Sequence, residues 1–259
     1  MSKVIAIVCQ KGGVGKTTTA VHLGIGLARE GKKVLLIDAD SQGSMTISLG
    51  HRDSRNYVNT LDSLMNKVIK KVTIDESEGI IACKENVDLI AANRNLAAIE
   101  ILITTEISRE YILKKYLKQV KNNYDYVIID TPPSLGLLTI NAMAAADSVI
   151  IPVQTEYLAA KGLEELLRTV SDIQEEINET LEIDGMLFTM VDNRTNESKD
   201  VAETITKTYG NHIRILGSIP RLVKVSESSR IGSSLFEISA KNKATIAYES
   251  FVEEVIQNG

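Results

Sequence analysis

Eleven consecutive residues, Cys9-Gln10-Lys11-Gly12-Gly13-Val14-Gly15-Lys16-Thr17-Thr18-Thr19, combine three glycines, two lysines and three hydroxyls. That set suits phosphate chemistry. Glycine permits the tight turns that aim successive backbone N–H groups at phosphate oxygens. Lys16 would reach β- and γ-phosphates, and the Thr17 hydroxyl would ligand Mg²⁺. Val14 and Thr18 complete the loop and its junction with a helix, whose N-terminus favours an anion. The plain alternative is a Gly-rich turn with a lone lysine. Against it, an apolar strand, the glycines, the Lys-Thr pair and an amphipathic helix all coincide here. Three carboxylates join this loop. Asp38 and Asp40 close the apolar run Val34-Leu35-Leu36-Ile37, and Asp130 closes Tyr126-Val127-Ile128-Ile129. In an open parallel sheet the C-terminal strand ends line the ligand crevice. A strand-end aspartate there holds Mg²⁺ when a phosphate loop lies beside it.

The elements that must position these residues read as alternating β and α. Apolar runs of strand length occupy residues 4–9, 34–38, 87–91, 126–130, 148–153, 186–191 and 215–219. Most are continuous rather than alternating, as parallel strands covered on both faces require. Helical patterns fall at 17–30, 108–121, 135–145, 160–178, 200–209 and 240–257. This predicts an α/β fold, a single domain over residues 1–259 with a twisted, mostly parallel sheet and helices on both faces. Residues 50–59 read as a polar loop.

Composition narrows the classes. With 259 residues, 44% hydrophobic and 24% charged, the chain is long enough to bury a core and is not of disordered type. No apolar run reaches the roughly 18 residues of a membrane span. Two cysteines, Cys9 and Cys83, make neither a disulfide framework nor a four-ligand metal set, so a reducing cytosol is expected. Net charge is −5 but uneven: residues 153–185 carry −7 and residues 206–243 carry +5. The basic segment reads either as a solvated face or as a nucleic-acid contact. The last helical pattern has lysines only at its start and ends in Glu253-Glu254, unlike a membrane-surface helix.

The loop departs from the usual G-x-x-x-x-G-K-[ST] pattern, with Gln10 at the first glycine and an extra lysine, Lys11. In this it resembles the deviant P-loop of the ParA/MinD family of ATPases, and the likeness runs over nearly the whole chain. The stretches 124–141, 147–157 and Ile219-Pro220-Arg221 are most similar to small chromosomal-type ParA proteins, the Soj group. The resemblance implies ATP and Mg²⁺ as ligands and a homodimer in the ATP state. It implies a Lys11 that reaches the partner subunit's phosphates much as an arginine finger does. It gives Asp40 the attacking water and Asp38 a place in the Mg²⁺ shell. Ser41 stands where the family has proline, which loosens that loop and leaves the carboxylate intact.

The same resemblance implies non-specific double-stranded DNA and a ParB-like centromere-binding protein as partners, serving a plasmid, chromosome or integrative element. It also implies a cytoplasmic, nucleoid-associated protein. Lys224 and Arg230 fall where Soj-like proteins carry DNA-binding basic residues, and a contact through phosphate alone would be salt-sensitive and sequence-independent. Asn193 and Pro220 match positions that flank the adenine, with Arg221 nearby and Leu222 in place of a common asparagine. An N-terminal helix-turn-helix domain, as in larger plasmid ParA proteins, is not expected. Two sibling functions share the nucleotide residues: a MinD-like membrane-positioning switch and a ParA-like regulator of protein clusters or replication. The membrane reading is disfavoured by the last helix.

Overall fold

The computed structural model describes residues 2–52, 57–156, 159–192 and 194–258. In chain order the elements are β1 (Lys3–Ile7), α1 (Lys16–Arg29), β2 (Val34–Asp38), α2 (Ser44–Ser48), α3 (Leu61–Ile69), β3 (Ile80–Ala82), β4 (Val87–Ile90) and α4 (Leu96–Leu102). There follow α5 (Ile112–Val120), β5 (Tyr126–Asp130), α6 (Leu137–Ala145), β6 (Ser148–Gln154), α7 (Ala159–Glu176) and β7 (Glu182–Val191). The chain closes with α8 (Asn196–Tyr209), β8 (Ile215–Pro220), α9 (Val223–Ile231), α10 (Leu235–Ile238) and α11 (Lys243–Asn258).

The strands form one sheet in the order β3-β4-β2-β5-β1-β6-β7-β8. Among the described residues only β3 runs antiparallel, at the edge. All seven expected strands are present, and the expected α/β class holds. β3 is the addition: three half-exposed residues that carry too weak an apolar signal to read as a strand. The helix expected from residue 108 begins instead at Ile112, because Ser108 takes φ 56° and residues 109–111 close a 3-10 turn.

Alternate side chains of each central strand feed two cores. Val4 and Ala6 face one layer, with Leu64 of α3, Tyr116 of α5, Ala142 of α6 and Leu166 of α7. Ile5 and Ile7 face the other, with Leu23 of α1, Met45 of α2, Phe236 of α10 and Phe251 of α11. Each fully buried Ile, Leu or Val contributes about 1.5–3 kcal/mol of transfer free energy. β2 and β5 are buried along their whole length, so their C-terminal residues are held rigidly. No described helix is long and apolar enough to cross a membrane.

Candidate active site

β1 lies between β5 and β6, and β5 lies between β1 and β2. Their register sets Ile7 opposite Asp130, and Asp130 opposite Asp38. The glycine-rich loop therefore leaves β1 directly beside both carboxylates. Gly13 (φ 77°) and Gly15 (φ 88°) take the left-handed conformation that lets the loop turn into α1. The Thr189 hydroxyl of β7 donates to the Val14 carbonyl at 2.7 Å and pins the loop from the far side.

A cleft of about 510 Å³ opens over the loop. Gly12, Gly13, Gly15, Lys16, Thr17, Thr18 and Asp40 line it, together with Ser44 and Ser48 of α2 and Ser229 and Arg230 of α9. Lys16 is buried, and its Nζ donates to the Lys11 carbonyl at 3.2 Å. Burial lowers its pKa, while the charges of Asp130 and Asp40 pull the other way. Lys11 does not line this cleft. Its Nζ pairs instead with Glu156 Oε2 at 2.6 Å, with both side chains about half exposed.

The three carboxylates differ sharply. Asp38 is wholly buried, yet its Oδ1 accepts from the Asp40 N–H (3.2 Å) and its Oδ2 from the Thr46 N–H (2.8 Å) and hydroxyl (2.7 Å). Burial raises its pKa to about 6 against those donors. Asp130 is equally buried, and neither of its oxygens has a hydrogen bond of good geometry. Burial, then the Asp38 charge, push its pKa well above the usual carboxylate range; Thr17 and Lys16 ease it only in part. Asp40 stands half-buried on the cleft wall, with Oδ1 accepting from the Gln42 N–H at 2.9 Å. The family resemblance gives Asp38 a place in a metal shell; here its Oδ2 holds Thr46 of α2 and its Oδ1 holds the Asp40 N–H. Asp130 is the carboxylate left without a hydrogen bond of good geometry.

A second cleft of about 530 Å³ adjoins the first through Gly15, Thr18 and Met190. Ile219, Pro220, Leu222, Val223 and Val225 give it an apolar wall; Arg194 and Arg221 stand at it as well. Volumes of this order accept small-molecule ligands. Arg194 forms a two-point bond to Asp192, Nε to Oδ1 at 2.8 Å and Nη2 to Oδ2 at 2.7 Å, which holds that carboxyl well below its usual range. Pro220 stands on the wall of this cleft; Asn193 lies outside the described residues. Met190, at the junction, has φ 53°, a conformation no strand pattern foretells.

Of the two expected DNA-contact residues, Lys224 lines neither cleft and pairs with Glu227 at 2.7 Å. Arg230 is exposed and reaches the phosphate cleft; its carbonyl accepts from the Arg52 guanidinium. Beside it, a Cβ on Gly232 would fall 2.8 Å from Gly50 Cα, so α9 and the end of α2 meet backbone to backbone.

One buried polar residue gives no signal in the sequence. His22 of α1 bonds the Thr18 carbonyl through Nδ1 (2.8 Å), accepts the Leu235 N–H at Nε2 (3.1 Å), and stacks on Tyr248 at 4.6 Å. These partners require a neutral ring with its proton on Nδ1. Burial lowers its pKa from 6.5 to about 4. Its contribution is therefore complete above about pH 6.5 and is lost as pH falls toward 4.

Comparison with known proteins settles the family. The family described as an AAA domain matches residues 2–183. The chain is 44% identical to the sporulation initiation inhibitor protein Soj of Bacillus subtilis, covering 100% of both chains. It is 39% identical to the chromosome partitioning protein ParA of Caulobacter vibrioides, over 98% of this chain and 94% of that one. The chain belongs to the Soj/ParA family of P-loop ATPases. A solved structure of cobyrinic acid a,c-diamide synthase from Mycobacterium smegmatis, with an ATP analog and magnesium, is similar throughout. It is 36% identical, with a TM-score of 0.85 over 99% of this chain and 95% of that one. The cleft described above is thus the P-loop of a Soj/ParA-type chain, with a second cleft joined to it on the β7–β8 side.

Proposed function

We propose that this chain binds ATP with Mg²⁺ across the two joined clefts and hydrolyses it, pairing with a second copy in the ATP state. That dimer holds double-stranded DNA without sequence preference, and a ParB-like centromere-binding partner stimulates turnover and release. The cycle segregates a plasmid, chromosome or integrative element. The observation that carries the nucleotide reading is Asp130: a fully buried carboxylate with no hydrogen bond of good geometry, beside Lys16 and Thr17. Such a group is costly unless a cation meets it. With the Thr17 hydroxyl it fits a magnesium site, and the bound ion supplies positive charge to the β- and γ-phosphates.

The remaining roles belong to the chain. The N–H groups of the Gly12–Gly15 turn cradle phosphate oxygens. Lys16 exchanges the Lys11 carbonyl for phosphate. Asp40, on the cleft wall, orients the attacking water. Pro220 and the apolar wall receive the base, a role that the family resemblance also gives to Asn193. Lys11 leaves Glu156 to meet the phosphates of a second subunit, so its charge arrives only on pairing. Lys224 and Arg230 then supply phosphate contacts on α9, and pairing doubles them.

The test is binding to a random-sequence duplex with ATP, ADP and no nucleotide, over a salt series, with Asp40→Ala holding the ATP state. Expected are full ATP affinity, turnover reduced about 100-fold or more, and ATP-dependent, salt-sensitive DNA binding. ATP-dependent dimerisation without DNA binding would remove DNA as the track. Pelleting with acidic vesicles in place of DNA would favour the membrane-positioning reading.

A further inference from the structure

β7 lies between β6 and β8, and it pairs differently with each. From Ile150 onward its register with β6 is unbroken, with Val153 opposite Phe188 and Gln154 opposite Thr189. Against β8 the register slips: Phe188 is opposite Ser218, but Val191 is opposite Pro220. Thr189 and Met190 of β7 therefore stand against Ile219 alone. Two residues against one make a β-bulge, which re-aims a side chain beside a site.

Met190 is the residue that leaves the extended conformation, with φ 53°. The other described non-glycine residues with positive φ are Lys71, Glu85, Asn86 and Ser108, and all four lie outside the strands. Met190 alone among the described residues carries this strain within a strand. Strain of this kind persists where the surroundings hold it, and it gathers at ligand clamps.

Both bulge residues meet the glycine-rich loop. Thr189 donates to the Val14 carbonyl at 2.7 Å. Regular alternation would place Met190 on the face of Phe188, which packs in the layer of Leu166. Its Cε comes instead within 4.0 Å of where a Cβ on Gly15 would stand, so it covers that glycine. Gly15, Thr18 and Met190 are the residues common to the two clefts. Of the three, Met190 offers the long apolar side chain, and it is only half-buried.

The junction limits what this side chain can meet. On one side the loop and Lys16 suit phosphate; on the other, Ile219, Pro220 and Leu222 suit a base. A nucleoside triphosphate laid across both has its sugar at the junction. We propose that Met190 is a binding residue for that sugar and that the bulge in β7 places it there. The proposal rests on the nucleotide reading above. A thioether chain is unbranched and polarisable, so it packs on the carbon face of a furanose ring without requiring a hydrogen bond. The result is selectivity for a nucleotide over a bare polyphosphate. The phosphate cleft holds both, and Met190 adds affinity only where a sugar is attached.

The experiment is calorimetric binding of two probes, each with Mg²⁺, to the full-length chain. One is a non-hydrolysable ATP analogue, which spans both clefts; the other is inorganic tripolyphosphate, which fills only the first. Met190→Gly keeps the left-handed backbone without strain and removes the side chain. It should weaken the analogue by about tenfold or more and leave tripolyphosphate within about twofold of wild type. Met190→Ala, which retains a Cβ, should show the same split. Met190→Leu restores an apolar chain of similar volume and should hold the analogue within about threefold of wild type. Unchanged analogue affinity in the glycine and alanine proteins would overturn the proposal. So would an equal loss for both probes, because Met190 would then act through the loop and not on a sugar. A wild-type chain that does not bind the analogue would overturn the nucleotide reading and this proposal with it, so the two failures are distinguishable.

Discussion

The ends of β2 and β5 make a controlled pair. Asp38 and Asp130 sit opposite one another in register, and both are wholly buried. Three donors surround the first; the second has no hydrogen bond of good geometry. Burial alone therefore does not mark a ligand site. A buried carboxylate with three donors is largely compensated by the scaffold around it. One with no hydrogen bond of good geometry is a standing electrostatic cost, and a ligand cation removes that cost. Asp38 fixes the Asp40 turn and the start of α2, while Asp130 faces the loop that would deliver the phosphate.

Substitutions can break this contrast. Asp130→Asn should lower ATP turnover by about 100-fold or more, since several kcal/mol of charge stabilisation is lost. Without nucleotide the same protein should gain on the order of 2 kcal/mol in stability at pH 7. The sign follows from its raised pKa. The folded state binds the proton more tightly than the unfolded one, so stability falls as pH rises above the unfolded value near 4. The gain should accordingly vanish below about pH 4, as thermal melting across pH would reveal. An Asn variant no more stable than wild type at pH 7 would erase the distinction.

Asp38→Ala should do the reverse at neutral pH. It strands two N–H groups and a hydroxyl, at a cost of about 3 kcal/mol in urea unfolding. A neutral outcome would mean that those bonds hold nothing. The smallest effect sharpens the same point. Thr46→Val keeps the shape but removes a hydroxyl that donates to Asp38 and accepts from the Ala92 N–H at 3.1 Å. It should cost about 1 kcal/mol and leave ATP affinity within about twofold of wild type.

Much of this is legible in the order of the residues alone. The loop from Lys11 to Thr18 announces itself because phosphate binding needs several residue types at fixed short spacing. The central strands do so because double burial demands unbroken apolar runs. What cannot be read that way is pairing across the chain. Neither strand shows that Asp38 is well bonded and Asp130 is not; that depends on Thr46, eight residues past Asp38. Glu156 meets Lys11 from 145 residues away. α2 has five residues and α9 only partly apolar faces, both too little periodicity to declare a helix. His22 looks like any residue of an amphipathic helix until Leu235 and Tyr248 close around it.

The meeting of Gly50 and Gly232 has a consequence for how the molecule keeps time. Side chains between two helices act as cushions, because rotamers absorb small displacements before the backbone responds. Here there is no cushion. α2 is tied to Asp38 by two hydrogen bonds at Thr46, and α9 ends on Gly232. A shift at the Asp40 turn that moves α2 must therefore move α9 with it or part the two backbones. Whatever rests on α9 is geared to the Asp38–Asp40 turn without backlash.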